Sequence, residues 1–178
     1  MFVHIIRHAQ AIKRTPAIED ELRHLTCRGR KRFRRVAAKM QKGGADPDYI
    51  FSSFKIRAVQ TADILAERLA HTGDVIPTAD LDLFTPEKLR TMLQRYHHAR
   101  EIAIVGHEPD LGEITGELLG FSIDQLGKGS VVTLKVTITG DIITARLIEL
   151  ITAGGKKYSD HAKVQERLQS KITDSAKE

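Results

Sequence analysis

The sequence has few of the residues from which disulfide frameworks, metal clusters and aromatic binding surfaces are built. Cys27 is the only cysteine in 178 residues, tryptophan is absent, and only 5% of the residues are aromatic. A single cysteine excludes an internal disulfide and a multi-thiolate metal cluster, and it fits a reducing compartment. We expect Cys27 itself to be a small filler of the interior.

Long apolar runs are also lacking. No stretch approaches the roughly 20 residues that a membrane-spanning helix needs. The first apolar run, Phe2–Ile6, leads into Arg7 and His8, so it does not have the plan of a signal peptide. We therefore expect a soluble, cytoplasmic protein with no membrane partner. The length, with 41% hydrophobic and 29% charged residues, fits one ordinary globular domain.

The net charge of +5 is concentrated in the run Arg28–Arg35. Phe33, Val36, Ala37 and Met40 have helical spacing, so the simplest interpretation is the solvated face of a helix whose apolar side chains point inward. The alternative is a face that docks an acidic partner or nucleic acid. Nucleic acid is the weaker alternative, because no aromatic residues alternate with the basic ones to stack bases.

Short apolar runs alternate with segments of helical periodicity along most of the chain. The pattern predicts strands at about 2–6, 48–51, 74–77 and 101–105, and helices at about 28–42, 56–71, 86–97 and 109–119. Strands separated by single helices imply a mostly parallel sheet with helices on both faces. The predicted fold class is therefore three-layer α/β/α.

The pattern changes beyond Gly129. Val131–Thr139 alternates apolar and polar residues, Gly140-Asp141 provides a turn, and Ile142–Ile151 continues as a strand. This arrangement predicts an antiparallel β-hairpin at the edge of the sheet.

The last part of the chain is polar, with only Val164, Leu168 and Ile172 at helical spacing. We expect either a helix packed loosely on the body or a partly disordered segment. The predicted organisation is thus one domain over residues 1–152, followed by a polar C-terminal tail over residues 153–178.

Basic side chains stand at the ends of several predicted strands. Arg7 and His8 end the first strand, His107 follows the fourth, and Arg57 lies where the second strand gives way to a helix. Singly, these residues are more often structural histidines or solvated arginines. The carboxyl ends of parallel strands share one edge, however, and open α/β sheets bind their ligands there. Phosphoryl transfer needs fixed cationic donors around the phosphate oxygens, so the set favours a phosphate pocket.

Four segments, in order along the chain, carry a resemblance to a known family. They are Ile6-Arg-His-Ala9, Asp20-Glu-Leu-Arg-His-Leu-Thr-Cys-Arg-Gly29, Ser53–Ala62 with the pattern Ser-x-x-x-Arg-Ala-x-Gln-Thr-Ala, and Val105-Gly-His-Glu-Pro109. With them, the sequence resembles the histidine phosphatases that have the Arg-His-Gly signature, and among these the small SixA-type phosphohistidine phosphatases. The resemblance covers about residues 1–150 and implies a phosphoglycerate mutase-like form of the predicted fold.

The sequence departs from the family pattern in three places. Ala9 stands where the broader superfamily has glycine, and Phe54 stands where proline is common, but neither change removes a chemical group. Mutase-like members carry a long insertion, with a glutamate that acts as the acid, between the third strand and the following helix. Here the connection between these two elements is only Thr78–Thr85. The short connection implies an open, shallow site with room for a bulky partner.

The resemblance also implies roles for individual residues. His8 would be the nucleophile that becomes phosphorylated, Arg7 and Arg57 would grip phosphate oxygens as fork-shaped donors, and His107 would be a third donor. We also expect Ser53 to contribute to substrate binding. The neighbouring arginines would keep His8 neutral, and a backbone carbonyl at its other ring nitrogen would fix the tautomer.

The group that protonates the leaving group stays open among Asp20, Glu21, Asp82 and Glu108, of which we rank Glu108 and Asp20 first. Each of these carboxylates has an alternative interpretation as a helix cap or an exposed side chain. No metal ion or other cofactor is implied, because the arginines would repel cations and no His-x-x-x-His motif or carboxylate cluster accompanies the histidines.

These expectations describe a cofactor-independent phosphatase, with phosphohistidine in a phosphorylated protein as its first expected substrate. One alternative is a phosphomonoesterase of the same superfamily that acts on a small phosphate ester. Another, from a different class, is a non-catalytic module that binds phosphorylated partners. The set of Arg7, His8, Arg57 and His107 argues against the module, since binding alone does not require a nucleophile.

Overall fold

A computed structural model of the protein describes residues 1–169, with a single β-sheet at its centre. The strands are β1 (Phe2–Arg7), β2 (Tyr49–Ser52), β3 (Val75–Pro77), β4 (Glu101–Gly106), β5 (Val131–Thr139), β6 (Ile142–Ile151) and β7 (Lys157–Tyr158). The helices are α1 (Cys27–Lys42), α2 (Ile56–Leu69), α3 (Pro86–Arg95), α4 (Asp110–Leu119) and α5 (His161–Gln169), with a short 3-10 helix over Ala79–Leu81.

The sheet has the strand order β3-β2-β4-β1-β5-β6-β7. β1 to β4 form its parallel half. β5 pairs antiparallel with β1, and β6 and β7 continue the antiparallel half. The predicted fold class is confirmed, and the predicted strands and helices up to residue 151 are all present with ends that differ by one or two residues.

Helices cover both faces of this sheet. Successive residues of a strand point to opposite faces, so Ile5 and Ile6 of β1 enter two different cores, as do Phe51 and Ile50 of β2. The core that contains Ile5 is closed by residues of α3, α4 and α5, and the core that contains Ile6 is closed by residues of α1 and α2. The parallel strands are therefore apolar on both sides, as the sequence pattern indicated.

Local sequence signals explain where the helices begin. The Thr26 hydroxyl caps α1 by accepting a hydrogen bond from the Gly29 N–H at 2.9 Å. Thr85 caps α3 in the same way, and Pro86 occupies the first helical position, where its missing N–H is not needed. On α1, the side chains predicted to point inward are buried, and the basic residues between them face outward.

Part of the predicted tail packs on the domain. β7 pairs with the end of β6, so the hairpin of β5 and β6 is not the outermost element of the sheet. Val164 and Leu168 of α5 are fully buried, and the Leu168 carbonyl accepts a hydrogen bond from the Asp124 N–H. Ile172 and the rest of the tail lie outside the described residues, and the division at residue 152 stays a prediction.

The interpretation of Cys27 as an interior filler is wrong. Cys27 is exposed, because it is the first residue of α1 and lies on the outward face beside Arg28 and Lys31. Among the described residues, no helix combines the length and the apolar character needed to cross a membrane.

Candidate active site

Three strand ends meet at one edge of the parallel half of the sheet. In the register of the sheet, Arg7 at the end of β1 lies beside Gly106 at the end of β4. His8 and His107 follow directly, and the centroids of their rings are 5.1 Å apart. Because β2 pairs with β4, Ser53 reaches the same edge and contacts His107. The structure thus brings the predicted residues of three strand ends together.

His8 is held as a neutral imidazole. Its side chain is 8% exposed, and its Nδ1 lies 2.8 Å from the Ala9 carbonyl oxygen, to which it donates. Burial lowers the pKa of His8 to about 3, with further lowering by the cations Arg57 and Arg7, while the hydrogen bond to Ala9 acts in the opposite direction. Because Nδ1 carries the proton, Nε2 carries the lone pair that a nucleophile needs.

Arg7 is tied to the segment before β5. Its Nη1 donates to the Leu126 carbonyl at 2.5 Å, whereas its Nε is buried and has no partner among the described residues. Burial lowers the pKa of Arg7, and Glu108 acts in the opposite direction. The guanidinium nevertheless stays charged, because the ordinary pKa of arginine lies so far above neutrality.

Arg57 is held by the loop that precedes α1. Its Nη2 donates to Asp20 Oδ2 at 2.8 Å and its Nη1 donates to the Asp20 backbone carbonyl. Arg57 is only 5% exposed, and its Nε has no partner in the part of the chain that the structure describes. Asp20 therefore fixes the plane of this guanidinium.

The structure speaks against Asp20 as a proton donor, the role ranked for it from the sequence. Asp20 also accepts hydrogen bonds from Arg23 at 2.7 Å and Arg14 at 3.0 Å, and Lys55 Nζ lies 3.8 Å away. Desolvation alone would raise the pKa of Asp20, but the hydrogen bonds from Arg23, Arg57 and Arg14 hold it well below the usual range. Asp20 is therefore ionised at neutral pH and has no proton to give.

His107 is joined to Asp82 through Ser53. The Ser53 hydroxyl donates to Asp82 Oδ1 at 2.6 Å, and its oxygen lies 2.7 Å from His107 Nε2. A hydroxyl has one proton, so His107 Nε2 must be the donor in the second contact. His107 Nδ1 is then the atom available to a ligand, and it is buried without a partner among residues 1–169.

These contacts change the expected role of Ser53. Its side chain is fully buried and its oxygen is shared among Asp82, His107 and the Lys55 N–H. The structure therefore speaks against direct substrate binding by Ser53, which acts through His107 instead. Burial lowers the pKa of His107 to about 3, aided by His8, Arg57 and Lys55, so its ring is neutral in the unliganded site.

Glu108 is a carboxyl group whose pKa lies near neutral pH. Its Oε1 accepts from the Leu126 N–H at 3.0 Å and its Oε2 from the Gly112 N–H at 3.3 Å. Burial raises the pKa of Glu108 to about 7, although both hydrogen bonds and Arg7 act in the opposite direction. Leu126 connects the two side chains, since its N–H binds Glu108 and its carbonyl binds Arg7. Glu21, also considered from the sequence, is exposed.

A groove of about 310 Å³ opens beside Arg7. Its lining residues include the cations Arg7, Arg32 and Lys128 and the carboxylate Asp124. Within the described residues, no group of three or more His, Cys, Asp or Glu side chains is placed to hold a metal ion.

Comparison with known proteins identifies the class. The family model of the histidine phosphatase superfamily (branch 1) matches residues 3–82, which include three of the four recognised segments. An uncharacterized protein of Picosynechococcus sp. is 34% identical over 122 residues, which are 64% of this chain and 70% of that relative. The chain belongs to the histidine phosphatase superfamily and is a phosphatase of this superfamily.

Solved structures agree with this assignment at the level of the fold. The protein histidine phosphatase SixA complexed with tungstate superposes with a TM-score of 0.77 at 18% identity, over 86% of this chain and 97% of that chain. The alpha-ribazole phosphatase from Shigella flexneri gives a TM-score of 0.63 at 16% identity, over 83% and 95% of the two chains. The resemblance to the histidine phosphatase superfamily is confirmed, and the fold is the phosphoglycerate mutase-like fold that the protein histidine phosphatase SixA also has.

Proposed function

We propose that this phosphatase hydrolyses phosphohistidine in a phosphorylated protein, through a phosphohistidine intermediate on His8 and without a metal ion or other cofactor. The observation that carries the proposal is the state of His8. Its Nδ1 proton is committed to the Ala9 carbonyl and the pKa of its ring is about 3, so Nε2 is unprotonated at cellular pH. An imidazole held in this way is prepared to attack and not to act as an acid.

The phosphoryl group would be bound by polar atoms that lack partners. Five buried side-chain nitrogen or oxygen atoms are unpartnered among residues 1–169, and three of them are Arg7 Nε, Arg57 Nε and His107 Nδ1. Unpartnered buried groups are uncommon, and both arginines and His107 lie near His8, so this set indicates a ligand with several acceptor oxygens. Nonbridging phosphate oxygens are such acceptors, and the two guanidinium groups match their geometry.

The chemical steps then follow. His8 Nε2 forms a bond to phosphorus while the bond from phosphorus to the leaving nitrogen breaks, and the leaving imidazole takes up a proton. Water next attacks the phosphorylated His8, which releases inorganic phosphate and restores the neutral ring. As negative charge gathers on the phosphoryl oxygens, His107 takes up a second proton at Nδ1. The new N–H then donates a hydrogen bond to one of these oxygens.

The carboxylates near the site favour a substrate with a labile bond. Asp20 is ionised, Asp82 accepts from Ser53, and both oxygens of Glu108 face backbone N–H groups. Glu108 stays the proposed proton donor because its pKa is about 7. A phosphoramidate needs less protonation of its leaving group than an alkyl ester does, so this site suits phosphohistidine. The likeness to the protein histidine phosphatase SixA and the short connection between β3 and α3 also support a protein substrate.

A second candidate is a phosphomonoesterase that acts on a small ester. The structural likeness to the alpha-ribazole phosphatase favours it, since a small-molecule phosphatase shares the fold. Both candidates would be cytoplasmic, a location that we propose because the single cysteine fits a reducing compartment.

Turnover by the purified protein separates these candidates. We expect a higher kcat/KM on a phosphohistidine-bearing carrier protein than on any sugar or nucleotide phosphate of a panel. Equal or faster turnover of the panel would favour the small-ester phosphatase. Tight binding of the phosphorylated carrier without any phosphate release would favour the non-catalytic module. His8→Ala, which removes the nucleophile, serves as the control in every assay.

A further inference from the structure

The outward face of α1 carries a basic patch whose members form no ion pair with a carboxylate among residues 1–169. Arg28, Lys31, Arg32 and Arg35 are exposed and line one shallow depression of the surface, which we call the basic face. None of them lies within 4 Å of a carboxylate oxygen in the described part of the chain. Within the described residues, the α1 cation that forms an ion pair is Arg34, which lies 4.0 Å from Glu67 of α2.

The stability of α1 does not explain these charges. The first turn of the helix contains no acidic residue, although the helix dipole favours negative charge at this end. Like charges three and four residues apart on one face also repel each other. Exposure explains why the residues are polar, but it does not explain why all four are positive.

The basic face is fixed to the phosphate pocket. The Thr26 N–H donates to the Gln10 carbonyl at 3.0 Å, and Gln10 lies two residues beyond His8. Gly29 packs so closely on the same carbonyl that an added Cβ would lie 2.1 Å from its oxygen. Arg32 lines both the basic face and the groove beside Arg7. The basic face is therefore continuous with the groove beside Arg7.

Exposed apolar side chains are close in sequence to three of the site residues on the other loops. Leu22 is 52% exposed two residues after Asp20, Phe54 is 56% exposed next to Ser53, and Leu83 is 75% exposed next to Asp82. We call these three residues the apolar rim. Large apolar side chains near a functional site are typical of surfaces that bind another protein, and a small phosphate ester would not need them.

We propose that the basic face and the apolar rim together dock the folded protein that carries the phosphohistidine, and that this partner presents an acidic surface to the basic face. The proposal rests on the proposed function and adds the chemical character of the partner. Arg28 and Arg35 are seven residues apart, or about 10 Å along a helix, which is the scale of a protein surface element. Charge complementarity across such an interface raises the association rate and selects the partner.

The test compares two substrates that share the same labile bond. One is a phosphohistidine-bearing carrier domain with an acidic surface, and the other is free phosphohistidine. Lys31→Gln with Arg35→Gln tests the basic face, and Leu22→Ser with Leu83→Ser tests the apolar rim. Lys39→Gln with Lys42→Gln is the matched control, because it removes the same charge from the last turn of the same helix.

We expect both test variants to lower kcat/KM for the carrier by about tenfold, mainly through KM, and to leave turnover of free phosphohistidine within about twofold of wild type. Added salt should reduce turnover of the carrier by the wild type and have less effect on the basic-face variant. The control should behave as wild type with both substrates.

Other outcomes would overturn the proposal. If the variants have the same kcat/KM for the carrier as wild type, or lose kcat/KM equally with both substrates, docking is contradicted and the proposed function stays intact. Binding of duplex DNA that Lys31→Gln with Arg35→Gln abolishes, with carrier turnover unchanged, would assign the basic face to nucleic acid. A wild type that turns over neither phosphohistidine substrate would overturn the proposed function, and the docking proposal with it.

Discussion

His107 and Asp82 are joined through a single hydroxyl group. Ser53 donates to Asp82 at 2.6 Å and accepts from His107 Nε2 at 2.7 Å, so an ionised Asp82 favours a proton on the ring. The unliganded His107 is neutral because burial lowers its pKa to about 3. A bound phosphoryl dianion would raise the pKa of His107 and favour its protonated form, and Asp82 would then stabilise the imidazolium through Ser53. Asp82 is thus a positioning residue.

Asp82→Asn should lower kcat by about tenfold or more, because the loss of its charge weakens the protonated form of His107 in the complex. The alkaline limb of the kcat profile should also move to lower pH, since His107 would then lose its second proton more readily. A pH series of kcat with phosphohistidine measures both effects. The exposed neighbour Asp80 provides the control Asp80→Asn, and an identical pH profile in wild type and Asp82→Asn would exclude the role.

Asp20→Asn should lower kcat/KM by about tenfold, because Arg57 loses the charged partner that fixes its plane. The loss should be the same for substrates whose leaving groups differ in basicity, since Asp20 has no proton to give. Phosphohistidine and p-nitrophenyl phosphate provide that comparison, and Glu21→Gln is the exposed control. A much larger loss with the more basic leaving group would identify Asp20 as a proton donor after all.

Glu108 should make the stability of the protein depend on pH between about 4.5 and about 7, its ordinary and its raised pKa. Its contribution is fully present below the lower value, and it is lost as the pH rises through the upper one, because the fold disfavours the ionised carboxylate. The free energy of unfolding of wild type relative to Glu108→Gln should therefore fall between pH 5 and pH 8. Urea titrations across this range measure it, with Glu113→Gln as an exposed control on α4. A difference that stays constant with pH would show that the pKa of Glu108 is not raised.

Gly29→Ala should destabilise the protein by about 1–3 kcal/mol, because its methyl group would meet the backbone carbonyl of Gln10, which cannot move freely. Activity should fall as well, since Gln10 follows the Arg7-His8 segment. Chemical denaturation and kcat measure the two effects. Gly154→Ala is the control, because the nearest atom to its added Cβ would be the Thr152 hydroxyl at 3.9 Å. Equal stability of the two variants would argue against tight packing of α1 on the site.

The parts of the fold that depend on local periodicity were predictable from the sequence. Apolar runs and helical spacing located the strands and helices up to residue 151, and the parallel order predicted that Arg7, His8 and His107 would share an edge. β7 was not predictable, because a two-residue strand has no periodicity of its own.

The contacts that tune the site depend on loops, which periodicity does not describe. The sequence marked Asp20 as a titratable group, but only the folded loop shows that Arg14, Arg23 and Arg57 surround it. Asp82 follows a 3-10 helix that the pattern did not predict, and its link to His107 passes through Ser53 from another strand. The neutral state of His8 could be predicted from the sequence, whereas the opposite pKa shifts of Asp20 and Glu108 required the fold.

Trapping the phosphorylated enzyme tests the central claim most directly. Wild-type protein mixed with a radioactive phosphohistidine carrier and quenched within milliseconds should hold phosphate that is labile in mild acid and stable in alkali, and mass spectrometry should locate it on His8. His8→Ala should hold no label and release no phosphate. Label on another residue, or phosphate release by His8→Ala at the wild-type rate, would contradict a covalent intermediate on His8.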